Sequence, residues 1–151
     1  MTASAKDLVN GIVEELDGLS GLPHHSTIKY RRPYAVLPGD CPLLCVWLVT
    51  KSLRLITTEM FESTFTIGVS WQVESVESSQ TLIVDEEKQE ELLESVELIE
   101  EKLREMGLRG SPVPGLTAYE LFPVSTDYIP AEVETGLVEG YLVSVVVNTT
   151  D

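Results

Sequence analysis

Leu8, Ile12, Val13, Leu16 and Leu19 recur at helical spacing behind Ser4. The first apolar pattern of the chain therefore predicts an amphipathic helix over Ala5 to Leu19. Ser4 followed by Asp7 resembles a capping box, with Asp where Glu is commoner. Gly18, Gly21 and then Pro23 supply the stop. The pattern next changes period. Thr27 to Tyr34 is mixed and cut by Pro33, which suits an edge strand or a loop, and Leu37 to Asp40 reads as a turn. Leu43 to Val49 is apolar at consecutive positions, the mark of a strand covered on both faces, by a helix on one and by a neighbouring subunit on the other. Ser52 to Thr57 reads as a short continuation or a loop edge. In Phe61 to Glu74, Phe65, Ile67, Val69, Trp71 and Val73 alternate with Thr64, Thr66, Gly68, Ser70, Gln72 and Glu74, a long strand with one dry and one wet face.

After a polar connection over Ser75 to Gln80, helical spacing returns. Asp85 opens a second helix with acids in its first turn, where the helix dipole favours them. Leu92, Leu93, Val96, Ile99, Leu103 and Met106 form its apolar stripe, and Gly107 stands where a C-terminal cap is expected. Leu108 to Thr117 is rich in Gly and Pro. Ala118 to Val124, broken by Pro123, and Leu137 to Asn148 supply the closing strands, the last β-branched enough to be central. The order predicts one α+β domain over residues 1–151: an antiparallel or mixed sheet packed by one long helix and an N-terminal helix.

Composition changes this picture in four ways. The net charge of −15, from 10 Lys and Arg against 25 Asp and Glu, argues against a nucleic-acid binder, because phosphate affinity depends on cations. Hydrophobic content of 43% argues against a disordered chain despite that charge. No apolar run approaches the roughly 18 residues that span a bilayer, and no leader pattern opens the chain, so neither a membrane nor a secreted product is expected. Cys41 and Cys45, four apart on one strand face, lie too far apart to bridge and read as reduced thiols.

Candidate chemistry is sparse. His24 and His25 with the two thiols are the elements of a zinc site, but adjacent histidines and a thiol pair without a two-residue knuckle have the wrong spacing, so no metal or other cofactor is expected. No glycine-flanked nucleophile turn accompanies the histidines, and no phosphate-binding glycine loop occurs. Glu86, Glu87, Glu90, Glu91, Glu94, Glu97, Glu100, Glu101 and Glu105 read as the solvated face of the second helix rather than as catalytic carboxylates. Lys29, Tyr30, Arg31, Arg32 and Tyr34 form the one basic and aromatic cluster of an acidic chain. It reads either as a sheet edge kept soluble by charge or as a contact loop for an acidic surface, such as the Glu-rich helix of an identical neighbour. The latter would be a head-to-tail contact of the kind that closes rings.

Taken from the helix at Leu8 through the strand Phe61 to Val73, the helix Asp85 to Met106 and the last strand Gly140 to Thr149, the chain resembles the tail terminator, or tail-completion, proteins of long-tailed bacteriophages. The resemblance rests on length and element order and carries no signature residue. It implies a non-enzymatic virion protein, made in the host cytoplasm, that forms a ring of usually six subunits. The ring would cap the finished tail tube, end its polymerisation and meet the head-side connector, with DNA passing an acidic interior without specific binding. The partners implied are further copies of the chain, the tube protein and the connector. By position, the loops Tyr34 to Cys41 and Ser52 to Met60, with Lys51, Arg54 and Met60, join the basic cluster as candidate contact residues. A head-tail connector or minor capsid component is the alternative within the same class. A small ligand-binding domain or enzyme, using His24, His25 or Cys45 in a pocket, is the alternative from another.

Overall fold

In the computed structural model, residues 4–33, 36–75, 86–108, 119–130 and 138–150 are described. The segments Ser75 to Gln80 and Leu108 to Thr117 lie mostly outside them, and Tyr34, Asp85 and Ala118 wholly so. Helix α1 spans Ala5–Asp17 and α2 spans Glu86–Leu108. The strands are β1 (Ser26–Lys29), β2 (Leu43–Thr57), β3 (Met60–Glu74), β4 (Tyr119–Ile129) and β5 (Val138–Thr150). They form one five-stranded sheet in the order β1-β2-β3-β5-β4. Only the β1–β2 pair is parallel; the other three are antiparallel. The α+β class and the central place of β5 agree with the sequence reading.

Both helices lie on one face of the sheet. Leu8, Val9, Ile12, Val13 and Leu16 of α1 and Leu92, Val96, Ile99, Leu103 and Met106 of α2 pack on Leu44, Val46, Phe65, Ile67, Val69, Trp71, Val143, Val145 and Val147. Each such aliphatic side chain fully withdrawn from water contributes about 1.5–3 kcal/mol before entropy is counted. Lys102 ties the helices together through Glu15, at 3.2 Å.

Several local expectations are corrected. Ser4 is the N-cap of α1 but makes no side-chain capping bond, and α1 stops at Asp17 rather than Leu19. Leu93 is exposed, and Ser95 takes its place in the buried stripe of α2. Gly107 lies inside α2, not beyond it; a Cβ there would come within 2.0 Å of the Leu121 carbonyl oxygen, so the missing side chain lets the helix end touch β4. β4 continues through Pro123 to Ile129 by means of a bulge between Pro123 and Ser125, as an edge strand permits. The expected wet face of β3 is dry over its second half. Gly68, Ser70 and Gln72 are buried there, beside a second apolar cluster of Leu43, Cys45 and Trp47 with Val36 and Leu142.

The main difference concerns residues 52–60. They form no loop: β2 and β3 run on as one hairpin, joined by a turn at Thr58 and Glu59. Leu48 pairs with Ile67 and Thr50 with Thr66, so Val49 is a bulge. One extra residue reverses which side chains meet which face. Lys51, Leu53 and Leu55 therefore fall on the helix-bearing face, and Leu53 is 63% exposed. The apolar alternation of β2 continues past the point where anything covers it, which is why periodicity alone did not separate strand from loop.

Candidate functional site

The candidate contact residues divide into two places. Lys29 and Tyr30 close the end of β1 against α1: Lys29 Nζ donates to Asn10 Oδ1 at 3.2 Å and the Tyr30 hydroxyl donates to the same oxygen at 2.6 Å. Tyr30 has φ +75°, a left-handed conformation unusual for a bulky residue. Its backbone N–H still reaches the Val46 carbonyl at 2.8 Å, and there the chain leaves β2. Arg31 and Arg32 follow, exposed. Tyr34 lies outside the described residues. Asn10 is the shared acceptor, so Asn10→Ala is expected to cost about 1 kcal/mol in urea unfolding.

Lys51, Arg54 and Met60 sit on the hairpin. The Lys51 ammonium lies 5.2 Å from the centroid of the buried Phe65 ring, a cation–π contact. Arg54 stands opposite Glu62 in the ladder. Leu53, Leu55, Ile56, Met60 and Phe61 are all exposed around these charges. Sheet topology thus separates the two halves of the candidate set, with Lys29 to Arg32 at the base of β2's outer edge and Lys51, Arg54 and Met60 along and beyond it.

His24 is exposed, whereas His25 turns inward: its Nε2 lies 2.9 Å from Asp17 Oδ1, its Nδ1 2.9 Å from the Pro23 carbonyl, and its ring meets Trp71 edge-on at 5.2 Å. Thr27 donates to the same Asp17 oxygen. His25 thus pins the end of α1 to β1 and to the core, and the expected exposed His pair is half right.

A cavity of about 290 Å³ opens between Pro23, Cys41 and Pro42, the end of β3 at Trp71 and Glu74, and the first turns of α2 at Lys88 and Glu91. Glu139, at its wall, is buried and accepts hydrogen bonds from Gln89 Nε2 and from the Tyr128 hydroxyl at 2.8 Å. It joins α2, β4 and β5. The sequence reading passed over it, although its place two residues before Tyr141 and four before Val143 puts it on the dry face by parity. The outward reading of the α2 acids holds except at Glu100, which accepts from Thr126 of β4 at 2.7 Å.

Cys41 and Cys45 are unbridged, Cys45 fully buried. Burial lifts both thiols from 9.0 to about 11, helped at Cys41 by the charges of Asp40 and Glu74 and opposed at Cys45 by the adjacent Ser70 hydroxyl. Above pH 9 the unfolded thiol loses its proton while the folded one keeps it, so the unfolded state binds fewer protons and stability falls as pH rises through 9 to about 11. Urea melts of the wild type and Cys45→Ala across that interval are expected to show the smaller alkaline loss in the variant.

No protein-family profile matches the chain, and no curated protein is significantly similar to it. Among the described residues no helix is long and apolar enough to cross a membrane.

Proposed function

We propose that the chain is a structural protein of a long-tailed phage, of the tail terminator kind. In this reading it is non-enzymatic and assembles into a ring of about six copies on the end of the tail tube. The ring stops tube growth, offers its other side to the head-side connector and lets DNA pass without specific binding. The virion tail is its destination and the host cytoplasm its place of synthesis. The observation that carries the reading is the one-sided architecture. Both helices lie on one face of the sheet, while the β2–β3 hairpin carries exposed apolar side chains and the outer edge of β2 beside them has no partner strand among the described residues. A monomer that exposes such an edge invites strand pairing; a ring uses it. The net charge of −15 suits a surface past which DNA must slide.

The test is polymerisation of purified tube protein with and without the chain. Tubes of limited length, carrying a ring at one end in negative-stain images, are the expected result. Unchanged tube lengths with no chain bound would overturn the terminator role, and binding to the connector protein without binding to tubes would move the chain to the head-tail joint.

The cavity beside Glu139 favours a ligand-binding domain as the second reading, since Trp71, one of its lining residues, has its Nε1 buried without a hydrogen-bond partner among the described residues. A ligand screen by thermal shift that moves the wild type but not a Trp71→Phe variant would support it.

A further inference from the structure

β1 covers β2 only from Leu43 to Val46. Tyr30, in its left-handed conformation, then takes the chain away, and the outer edge of β2 from Trp47 to Thr57 has no strand beside it among the described residues. β4 closes the opposite end of the sheet, and its outer edge too has no strand beside it among the described residues. The two edges carry opposite charge, although Lys51, Leu53 and Leu55 lie on the helix-bearing face and Arg54 alone shares the face of the β4 acids. Residues 48–57 hold Lys51 and Arg54 and no acid, whereas residues 119–129 hold Glu120 and Asp127 and no base. Both carry exposed apolar side chains, Leu53 and Leu55 on β2, Phe122 and Val124 on β4. Arg54 has Glu62 as its inner neighbour, which leaves it pointing along the same face as Glu120 and Asp127 by ladder parity.

We infer that the outer edge of β2 pairs with the β4 edge of a second copy, so that one sheet continues from subunit to subunit. This rests on the ring reading above and names the surfaces that would make it. Because the edges lie at opposite ends of the sheet, the contact is heterologous, the kind that closes into a ring when the rotation between copies permits. A two-fold β2–β2 contact would instead set Lys51 and Arg54 against their own copies, which like charges disfavour. Within the sheet β2 and β4 run in opposite directions, since β2, β3, β5 and β4 alternate. Rotation about an axis along the strands keeps that relation, so the junction is antiparallel.

The register fits as well. Leu53, Ser63, Thr149 and Tyr119 share one row across the sheet, and Leu43, Gln72, Gly140 and Ile129 share another. β4 is therefore level with Leu43 to Leu53, while the open edge begins at Trp47. A neighbour's β4 must slide up by about four residues, roughly 13 Å, to clear β1. Closed sheets require such a stagger. About four residues for each repeat of β2, β3, β5 and β4 is one residue per strand, the ratio at which (β/α)8 barrels close with strands tilted near 36°. β1 and the neighbour's β4 then lie end to end along β2, with Arg31 and Arg32 where Asp127 arrives. Pro123 withholds one N–H from the new ladder, and the bulge beside it limits pairing to two short stretches.

The test is light scattering of the full chain, with Lys51→Glu/Arg54→Glu, with Glu120→Lys/Asp127→Lys, and with all four changes, each variant checked by circular dichroism for its fold. Either pair alone is expected to raise the concentration at which rings half-dissociate by roughly tenfold or more, and the four together to restore it. As a second readout, Arg54→Cys with Phe122→Cys, which this register sets opposite each other, is expected to give a ladder of intermolecular disulfides on oxidation. A wild-type ring whose mass ignores both reversals and gives no ladder would overturn the edge contact and leave the ring reading standing. A two-fold dimer would overturn the contact in favour of β2–β2 pairing. A wild type that stays monomeric at all salts and concentrations would overturn the contact and remove self-assembly from the ring reading together.

Discussion

Gly140→Ala is expected to lower the stability of the chain by about 3 kcal/mol, a fall in Tm of roughly 6–12 °C for a domain of this size. Gly140 sits in β5 opposite Gln72 of β3, in the middle of the sheet. A Cβ at this position would lie 2.1 Å from the Trp71 carbonyl oxygen and 2.8 Å from Gln72 Cα. Both are backbone atoms of the neighbouring strand, so no rotamer change relieves the clash; the β3–β5 ladder itself has to open. The comparison that isolates this cause is Gly68→Ala. There the nearest atoms to the new methyl all belong to the Trp47 ring, from 2.7 Å, and a side chain at the rim of its cluster can tilt where backbone cannot. The expected loss is smaller, about 1–2 kcal/mol. Gly39→Ala, with nothing within 4 Å of the added carbon, is expected to stay within about 0.5 kcal/mol of the wild type. Urea melts of the three variants therefore rank in the order of what the methyl meets: strand backbone, aromatic ring, open space. A Gly140→Ala variant as stable as Gly39→Ala would mean that β5 and β3 are not in the register that puts Gly140 against Gln72.

The elements that periodicity could define were legible. Both helices, the long β3 and the central β5 follow from spacing that one buried face imposes on 3.6-residue and two-residue repeats. What stayed hidden depended on contacts between elements far apart in sequence. Gly107 has the look of a helix cap, yet the reason for its missing side chain lies in Leu121 of β4. Ser70 and Gln72 look solvated, yet both are buried on the face that carries Leu43, Cys45 and Trp47, and a polar residue in an alternating strand gives no sign of which. Ser52 to Thr57 reads as a short continuation or a loop edge because its apolar residues run on past the point where anything buries them, so no dry face marks the strand. For the candidate site, the basic cluster was found from composition alone. Its division into Lys29 and Tyr30, turned onto Asn10, and Lys51 and Arg54, left on an open edge, required the topology.

Trp71→Ala is expected to cost about 4 kcal/mol, whereas Trp71→Phe is expected to cost about 1 kcal/mol or less. Trp71 is among the largest fully buried side chains and joins the helix-bearing core of the sheet to the His25 ring, 5.2 Å away. Truncation to Ala removes the indole's transfer free energy and leaves a cavity bounded by strands and helices that cannot collapse into it. Phe keeps one ring in place, so its cavity is the size of the lost pyrrole portion. It also removes Nε1, which is buried without a partner among the described residues. A donor held dry in that way costs about 1–3 kcal/mol, and deleting it returns part of what the lost volume takes. The measurement is urea unfolding followed by fluorescence, which remains possible because Trp47 is the second of the two tryptophans. If Trp71→Phe proves as costly as Trp71→Ala, the indole N–H has a partner in the folded chain and the wall of the cavity beside Glu139 is built around it. If the two variants separate as expected, packing volume is what fixes a tryptophan at this point of β3, and the N–H is carried at a cost.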